Sequence, residues 1–422
     1  MQKMKKKFHL ETSKFFCLMP WVHLHFLPDS SAHACCMSDS KKPVGNFSIT
    51  PSIKELYNSK SACQLRKNMM DEKPSPECQR CYELESHGVY TLRKMSNESF
   101  GKYWDGLIPE TKNDGQLTDF KMRYLDIRFS NICNFKCQTC GPLFSSAWYD
   151  DQKALYSGYS SLKINRIEPM NQFMSQIQPL LDDVEKVYFA GGEPIVTEEI
   201  YQIMDYWLAK LHLGLELSFT TNFSLIQFKE KNILDYWNKF KHVRISASLD
   251  DSGPRAEYLR KGTIWKNIES NRNKMLSACP KVYFEITPTI SLFNVWHFPE
   301  FHLDWVKRNL VEPNNIRLNI LTNPRHMTLS LIPLKKRKKL ITKWIEARDH
   351  LLEFCENRSH PKHNILDGYN SIIHYLENEP EELDLHSAFL ERLSKVDAVR
   401  KESLFDVFPE LIEIFELREI NE

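Results

Sequence analysis

The sequence predicts an α/β protein centred on parallel strand–helix units between residues 122 and 325. Six strand-like runs, at 122–129, 186–190, 215–221, 242–249, 281–290 and 315–322, are mostly separated by helix-like stretches such as Ile200 to Leu213 and Lys229 to Lys241. Alternation of this kind builds a parallel sheet. The residues suited to chemistry fall just after these runs, where β/α folds place their sites: Cys133 to Cys140 after the first, Gly191 to Pro194 after the second, Thr220-Thr221-Asn222 closing the third and Ser246 to Asp250 closing the fourth. With 422 residues, 42% of them hydrophobic, the chain can bury more than one core.

Residues 1–100 form a first module, 101–121 a linker or substrate-facing loop, 122–325 the core and 326–422 a helical extension. In the first module, Val22 to Phe26 alternates like a strand, Pro28-Asp29-Ser30 reads as a turn, and Ala34-Cys35-Cys36-Met37 follows as the return of a hairpin. A helix-like stretch runs from Tyr82 to Phe100. In the extension, Lys335 to Lys339 opens a helix and reads as a solvated face. Ser403 to Leu417 is amphipathic, with Leu404, Phe405, Val407, Phe408, Leu411 and Ile412 as a docking face.

The net charge of +1 gives no global field toward nucleic acid or membrane. The sequence has no apolar run of transmembrane length. Its start is basic, but the apolar patch that follows is short and broken by Pro20, so no signal peptide is expected. Eleven cysteines in such a chain argue for metal or redox roles in a reducing cytoplasm.

Cys133, Cys137 and Cys140 stand as C-x3-C-x2-C. A closed structural metal site wants four protein ligands; three leave a coordination position open. Thiolates favour zinc, copper(I) and iron–sulfur clusters. A cluster normally takes four cysteines, so three leave one iron free for a small molecule. The competing reading is a reduced or zinc-binding cysteine cluster. Val187 to Pro194, a strand running into Gly191-Gly192-Glu193-Pro194, weighs against it. A second set, Cys17, the Cys35-Cys36 pair and the Cys78/Cys81 knuckle, is able to converge on one tetrahedral or cubane site. Adjacent strand residues point to opposite faces, so one of Cys35 and Cys36 is expected as ligand, and Cys36 is favoured. Zinc remains the rival to iron–sulfur here. Cys63 reads as a packing residue.

The C-x3-C-x2-C loop and the Gly-Gly-Glu-Pro stretch, in this order and separation, resemble the radical S-adenosylmethionine (SAM) superfamily. The N-terminal pattern, namely Cys17, Cys35-Cys36, Gly45-Asn46, the helix Ser52 to Ser59, Leu65-Arg66 and Cys78/Cys81, resembles the Twitch domain, a shortened SPASM domain holding one auxiliary [4Fe–4S] cluster. Two departures stand out: the module precedes the core, as in the subfamily with an N-terminal Twitch domain, and Ser30-Ser31 occupies a turn where glycine is common.

The resemblance implies a partial (β/α)6 barrel. Its [4Fe–4S] cluster would be held by Cys133, Cys137 and Cys140 and chelated by SAM, and a second cluster by Cys17, Cys36, Cys78 and Cys81. Gly191 and Gly192 would let backbone approach SAM, Glu193 would accept from its ammonium, and Asn222, Ser248 and Asp250 would reach its ribose. Arg260 would pair with its carboxylate, and Asn294 is a further polar candidate. A satisfied loop role competes for each of these single polar residues. Thr139 stands where an aromatic residue is common near the adenine, with Phe135 nearby.

The implied reaction is reductive cleavage of SAM to a 5′-deoxyadenosyl radical that abstracts hydrogen from a substrate. A peptide is the first expectation for that substrate, and a flavodoxin or ferredoxin for the reductant. The rivals are action on a nucleotide or sugar, and a non-catalytic iron–sulfur or zinc protein that keeps the fold.

Overall fold

A computed structural model describes Lys6 and residues 8–86 and 90–415. The basic start apart from Lys6, residues 87–89 of the expected 82–100 helix and the end of the 403–417 stretch lie outside the described residues. The chain divides into two compact units. The first comprises Met1–Asn131, Ile164–Ser218 and Lys239–His242; the second comprises Ile132–Lys163, Phe219–Asn238 and Val243–Glu422.

The fold is α/β, with five strands following one another across a sheet in chain order: Tyr124–Leu125, Lys186–Phe189, Glu216–Thr221, His242–Ala247 and Tyr283–Ile286. The third strand passes from one unit into the other, three residues in each. In the first unit, Tyr124 and Leu125 pair in parallel with Lys186 and Val187. In the second, Arg244 to Ala247 pair in parallel with Tyr283 to Ile286. The fifth run breaks at Thr287-Pro288 and resumes as Thr289–Ile290, which pairs in parallel with Asn319–Ile320. All six predicted runs are therefore present, and no closed barrel forms among the described residues.

Alternation explains the strands. Lys186–Phe189 turns Val187 and Phe189 inward at 2% and 1% exposure, and Tyr188 to the other face. The next helix, Glu198–Ala209, begins with Glu198 and Glu199, which suit the positive end of its dipole. It buries Ile200, Ile203, Met204 and Trp207 as one stripe. The sequence predicts a helix-like stretch from Lys229 to Lys241. Instead it opens on a two-residue hairpin, Gln227–Phe228 with Lys231–Asn232, and only Ile233–Trp237 is helical.

The N-terminal module belongs to the first unit. His25–Phe26 and Ser31–His33 form the predicted hairpin, and Gly45–Asn46 adds a third strand. The hairpin is stitched to the first core strand by a parallel bridge from Phe26 to Ile127 and by the Arg128 amide on the Phe26 carbonyl, 2.9 Å. The 101–121 segment, read as a linker or loop, is packed within this unit. Trp104, Leu117 and Phe120 are buried. Buried Arg66 binds the carbonyls of Gly115, Pro20 and Tyr57 at 2.7, 3.1 and 2.6 Å. Sequence reading missed this because an arginine clamp on backbone carbonyls has no local signature.

In the second unit the extension is helical as predicted: Leu334–Arg358, His363–Asn378 and His386–Arg400. Within the basic run, Arg337 leaves the solvated face. It is buried and donates to the carbonyls of Ile332 and Glu379, 2.8 and 2.6 Å. Leu404, Phe408 and Leu411 of the docking face are buried, with Phe408 edge-on to Tyr258.

Candidate active site and auxiliary cysteine set

In the second unit the Cys133 to Cys140 loop is held from several directions. Lys136–Cys137 pairs antiparallel with Arg260–Lys261, setting Arg260 opposite Cys137. Gly262 makes that approach possible: its φ is +113°, and a Cβ there would stand 2.8 Å from the Asn134 carbonyl oxygen. The Trp148 indole donates to the Cys137 carbonyl, 2.9 Å. Asn222 donates to the Asn134 side chain, 2.8 Å. Arg400, from the last long helix, binds the Lys136 carbonyl at 2.8 Å and Asp151 at 2.7 Å, and lies over the Trp148 ring.

The resemblance implies Arg260 and Asp250 as separate contacts to SAM. The structure gives them to each other: Nε and Nη2 of Arg260 meet both carboxylate oxygens at 2.7 and 3.0 Å. The third guanidinium nitrogen points to Cys137 Sγ, 3.7 Å. The Thr289 amide also donates to Asp250, 2.9 Å, and Asn294 binds the Asp250 carbonyl, 2.8 Å. The planar fork is thus turned to a carboxylate and a thiol of this chain. Asn222 is likewise engaged with its own loop, accepting from Ser224. Ser248 closes the fourth strand, half-buried, with its amide on the Thr221 carbonyl at 2.8 Å.

Burial raises the Cys137 thiol, and nearby Arg260 works against that rise. Cys140 is pushed up to about 12, first by burial and then by Cys137 beside it. Cys137 raises Cys140, a repulsion between thiolates that a cationic centre would relieve, and with Cys133 on the same loop the donor set fits an iron–sulfur cluster with one iron left open. Asp251, which sequence reading passed over, is 2% exposed, and burial raises its carboxyl to about 7. Its only sequence signal is a second carboxylate after Asp250.

In the first unit the second strand ends at Gly191 and Gly192, with φ of +87° and +48°. A Cβ on Gly191 would stand 2.6 Å from Arg128 Cδ. Glu193 is 1% exposed and caps the turn that follows, accepting from the Ile195 amide at 3.1 Å.

The auxiliary cysteines also lie in the first unit. Burial raises Cys17 to about 12, with Cys35 and Cys81 adding to it. Cys78 is raised by burial and then by Cys35, Cys17 and Cys81. The Asp39 amide on the Glu77 carbonyl, 3.1 Å, ties the Cys35 turn to the Cys78 knuckle. Cys17, Cys35, Cys78 and Cys81 therefore share one electrostatic neighbourhood, a soft four-sulfur donor set that fits a cluster. Cys36, favoured on sequence, departs from them: its thiol lies beside Asp126 and Arg128. The two residues sit in a turn after the Ser31–His33 strand, so strand alternation was the wrong guide to which one faces the set. Cys63 packs as expected, its thiol on the Asn58 carbonyl.

Residues 17–82 match the SPASM family, an iron-sulfur cluster-binding domain. Among curated proteins, the chain is similar to the GTP 3',8-cyclase of Sulfurimonas denitrificans, 25% identical over 171 residues that cover 39% of this chain and 46% of that protein. The GTP 3',8-cyclase of Campylobacter lari is 28% identical over 127 residues, 30% and 34% of the two chains. The chain thus matches less than half the length of these curated relatives. Among solved structures, native anSMEcpe with bound AdoMet and the Cp18Cys peptide aligns with a TM-score of 0.39 at 17% identity, over 56% of this chain and 62% of that one. SuiB of Streptococcus suis bound to precursor peptide SuiA aligns with a TM-score of 0.37 at 13% identity, over 70% and 63%.

An open three-cysteine loop on a parallel α/β sheet, preceded by a matched iron–sulfur domain, is the arrangement that the resemblance to radical SAM enzymes implies. The chain carries a SPASM-like domain ahead of its core and is similar, over part of its length, to curated GTP 3',8-cyclases. The matched domain type binds an iron–sulfur cluster.

Proposed function

We propose that the chain reductively cleaves SAM and uses the resulting 5′-deoxyadenosyl radical to abstract hydrogen from a peptide. The observation that carries the reading is the Cys133 to Cys140 loop, braced by Arg260, Arg400, Trp148 and Gly262. When bound, a [4Fe–4S] cluster on Cys133, Cys137 and Cys140 supplies the electron that splits SAM. The protein's part is positioning. Arg260, locked by Asp250, sets a fixed positive charge against Cys137 and favours its thiolate. Gly191 and Gly192 leave backbone open to a close ligand, and Glu193 offers a carboxylate to an ammonium. Cys17, Cys35, Cys78 and Cys81 hold the auxiliary cluster, with Cys35 in place of Cys36.

The peptide is what the resemblance to Twitch and SPASM enzymes implies, and the iron–sulfur domain of that resemblance is matched at residues 17–82. Similarity to GTP 3',8-cyclases favours a second reading, a nucleotide substrate. A flavodoxin or ferredoxin is proposed as reductant and a reducing cytoplasm as the setting. No helix among the described residues is long and apolar enough to cross a membrane.

Reconstituted protein with dithionite and SAM is expected to release 5′-deoxyadenosine, faster with a pool of short peptides than with GTP. Release driven by GTP alone would transfer the reading to nucleotides. No release under any condition would leave an iron–sulfur protein without radical chemistry.

A further inference from the structure

We propose that His23, His25 and Asp126 form a binding site for one divalent transition-metal ion, separate from both cysteine sets. All three are buried, at 1%, 4% and 0% exposure, and all belong to the first unit. One ligand-capable atom from each lies within 4.8 Å of the other two, the one such group among the described residues.

Proton positions follow from the backbone. His23 Nδ1 is 2.8 Å from the Tyr124 carbonyl, and His25 Nδ1 is 2.9 Å from the Asp126 carbonyl. A carbonyl only accepts, so each ring carries its proton on Nδ1 and presents the Nε2 lone pair. Metal-binding histidines are oriented in this way. His23 Nε2 is buried and makes no hydrogen bond among the described residues. Leaving it so is costly, and a cation beside the Asp126 carboxylate satisfies it.

Arg128 Nη2 lies 3.0 Å from Asp126 Oδ1. Arg128 engages the Oδ1 side and so orients the carboxylate for a ligand at the other oxygen. The scaffold is rigid. His23 and His25 are two residues apart, as are Tyr124 and Asp126, and the Phe26–Ile127 bridge fixes one strand against the other. Two imidazoles and a carboxylate leave open positions on zinc or iron(II), and the Cys36 thiol beside Asp126 stands ready as a fourth donor.

The test uses the full chain with its clusters reconstituted, freed of loose metal with a chelator and dialysed against micromolar zinc(II). Wild type is expected to take up about one zinc per chain beyond the cluster iron. His23→Gln and, separately, Asp126→Asn are expected to bind it at least about tenfold more weakly. Unchanged iron and sulfide in both variants would show that the first unit is intact. X-ray absorption at the zinc edge of wild type should show imidazole scattering. No zinc uptake by wild type, uptake unaffected by either substitution, or a shell of four sulfurs would each overturn the site.

Discussion

At the scale of single residues, Cys35 and Cys36 are neighbours with different surroundings. One shares charge with Cys17, Cys78 and Cys81, the other with Asp126. Cys35→Ser is therefore expected to lower the iron content from about eight to about four atoms per chain, the content of two cubanes against one, whereas Cys36→Ser leaves it unchanged. Anaerobic iron and sulfide analysis decides between them. Asp251 carries a pH signature. Its carboxyl titrates at about 7 in the fold, against about 3.9 in an unfolded chain. Between those values the folded state holds a proton the unfolded chain has released, so stability falls as pH rises through that window. Each unit is about 1.4 kcal/mol and the slope halves at the folded pKa, so the loss from about pH 5 to about pH 7 is about 2 kcal/mol. Asp251→Asn is expected to flatten that slope in denaturant melts.

Elements act here by bracing one another. The helix His386–Arg400 reaches the cluster loop through one guanidinium, which meets the Lys136 carbonyl, Asp151 and the Trp148 ring. Arg400→Gln strips a buried carboxylate of one cation, at a cost of about 3 kcal/mol. It is expected to lower the denaturation midpoint and the iron retained by the core cluster while sparing the auxiliary one. At the crossing of the two short strands, Gly262→Ala forces a side chain into a positive-φ position against Asn134. Strain of this kind costs about 1–3 kcal/mol, and the same iron assay, with a thermal melt, should register it. The helix boundaries show the limits of periodicity. The 229–241 stretch has helical spacing, yet a local hairpin with Gln227–Phe228 takes its first residues.

For the whole molecule, the two cysteine sets lie in different compact units. Replacing Cys133, Cys137 and Cys140 by alanine is expected to leave about four irons on the N-terminal set. Loss of all iron from that variant would mean that the two sets do not load independently. By itself the sequence determined what is written in short range: six strand runs by alternation, the open cysteine triplet by spacing, and the glycine turn before Glu193. Each depends on residues within one turn or strand, where pattern and chemistry coincide. Tertiary structure alone decided what depends on residues far apart in the chain. It paired Arg260 with Asp250, brought Arg400 to a loop more than two hundred residues earlier, turned Cys35 rather than Cys36 toward its partners, and gathered His23, His25 and Asp126. The physical reason is that a buried charge or lone pair is satisfied by whichever group the fold carries to it, and its own neighbours in sequence carry no record of that partner.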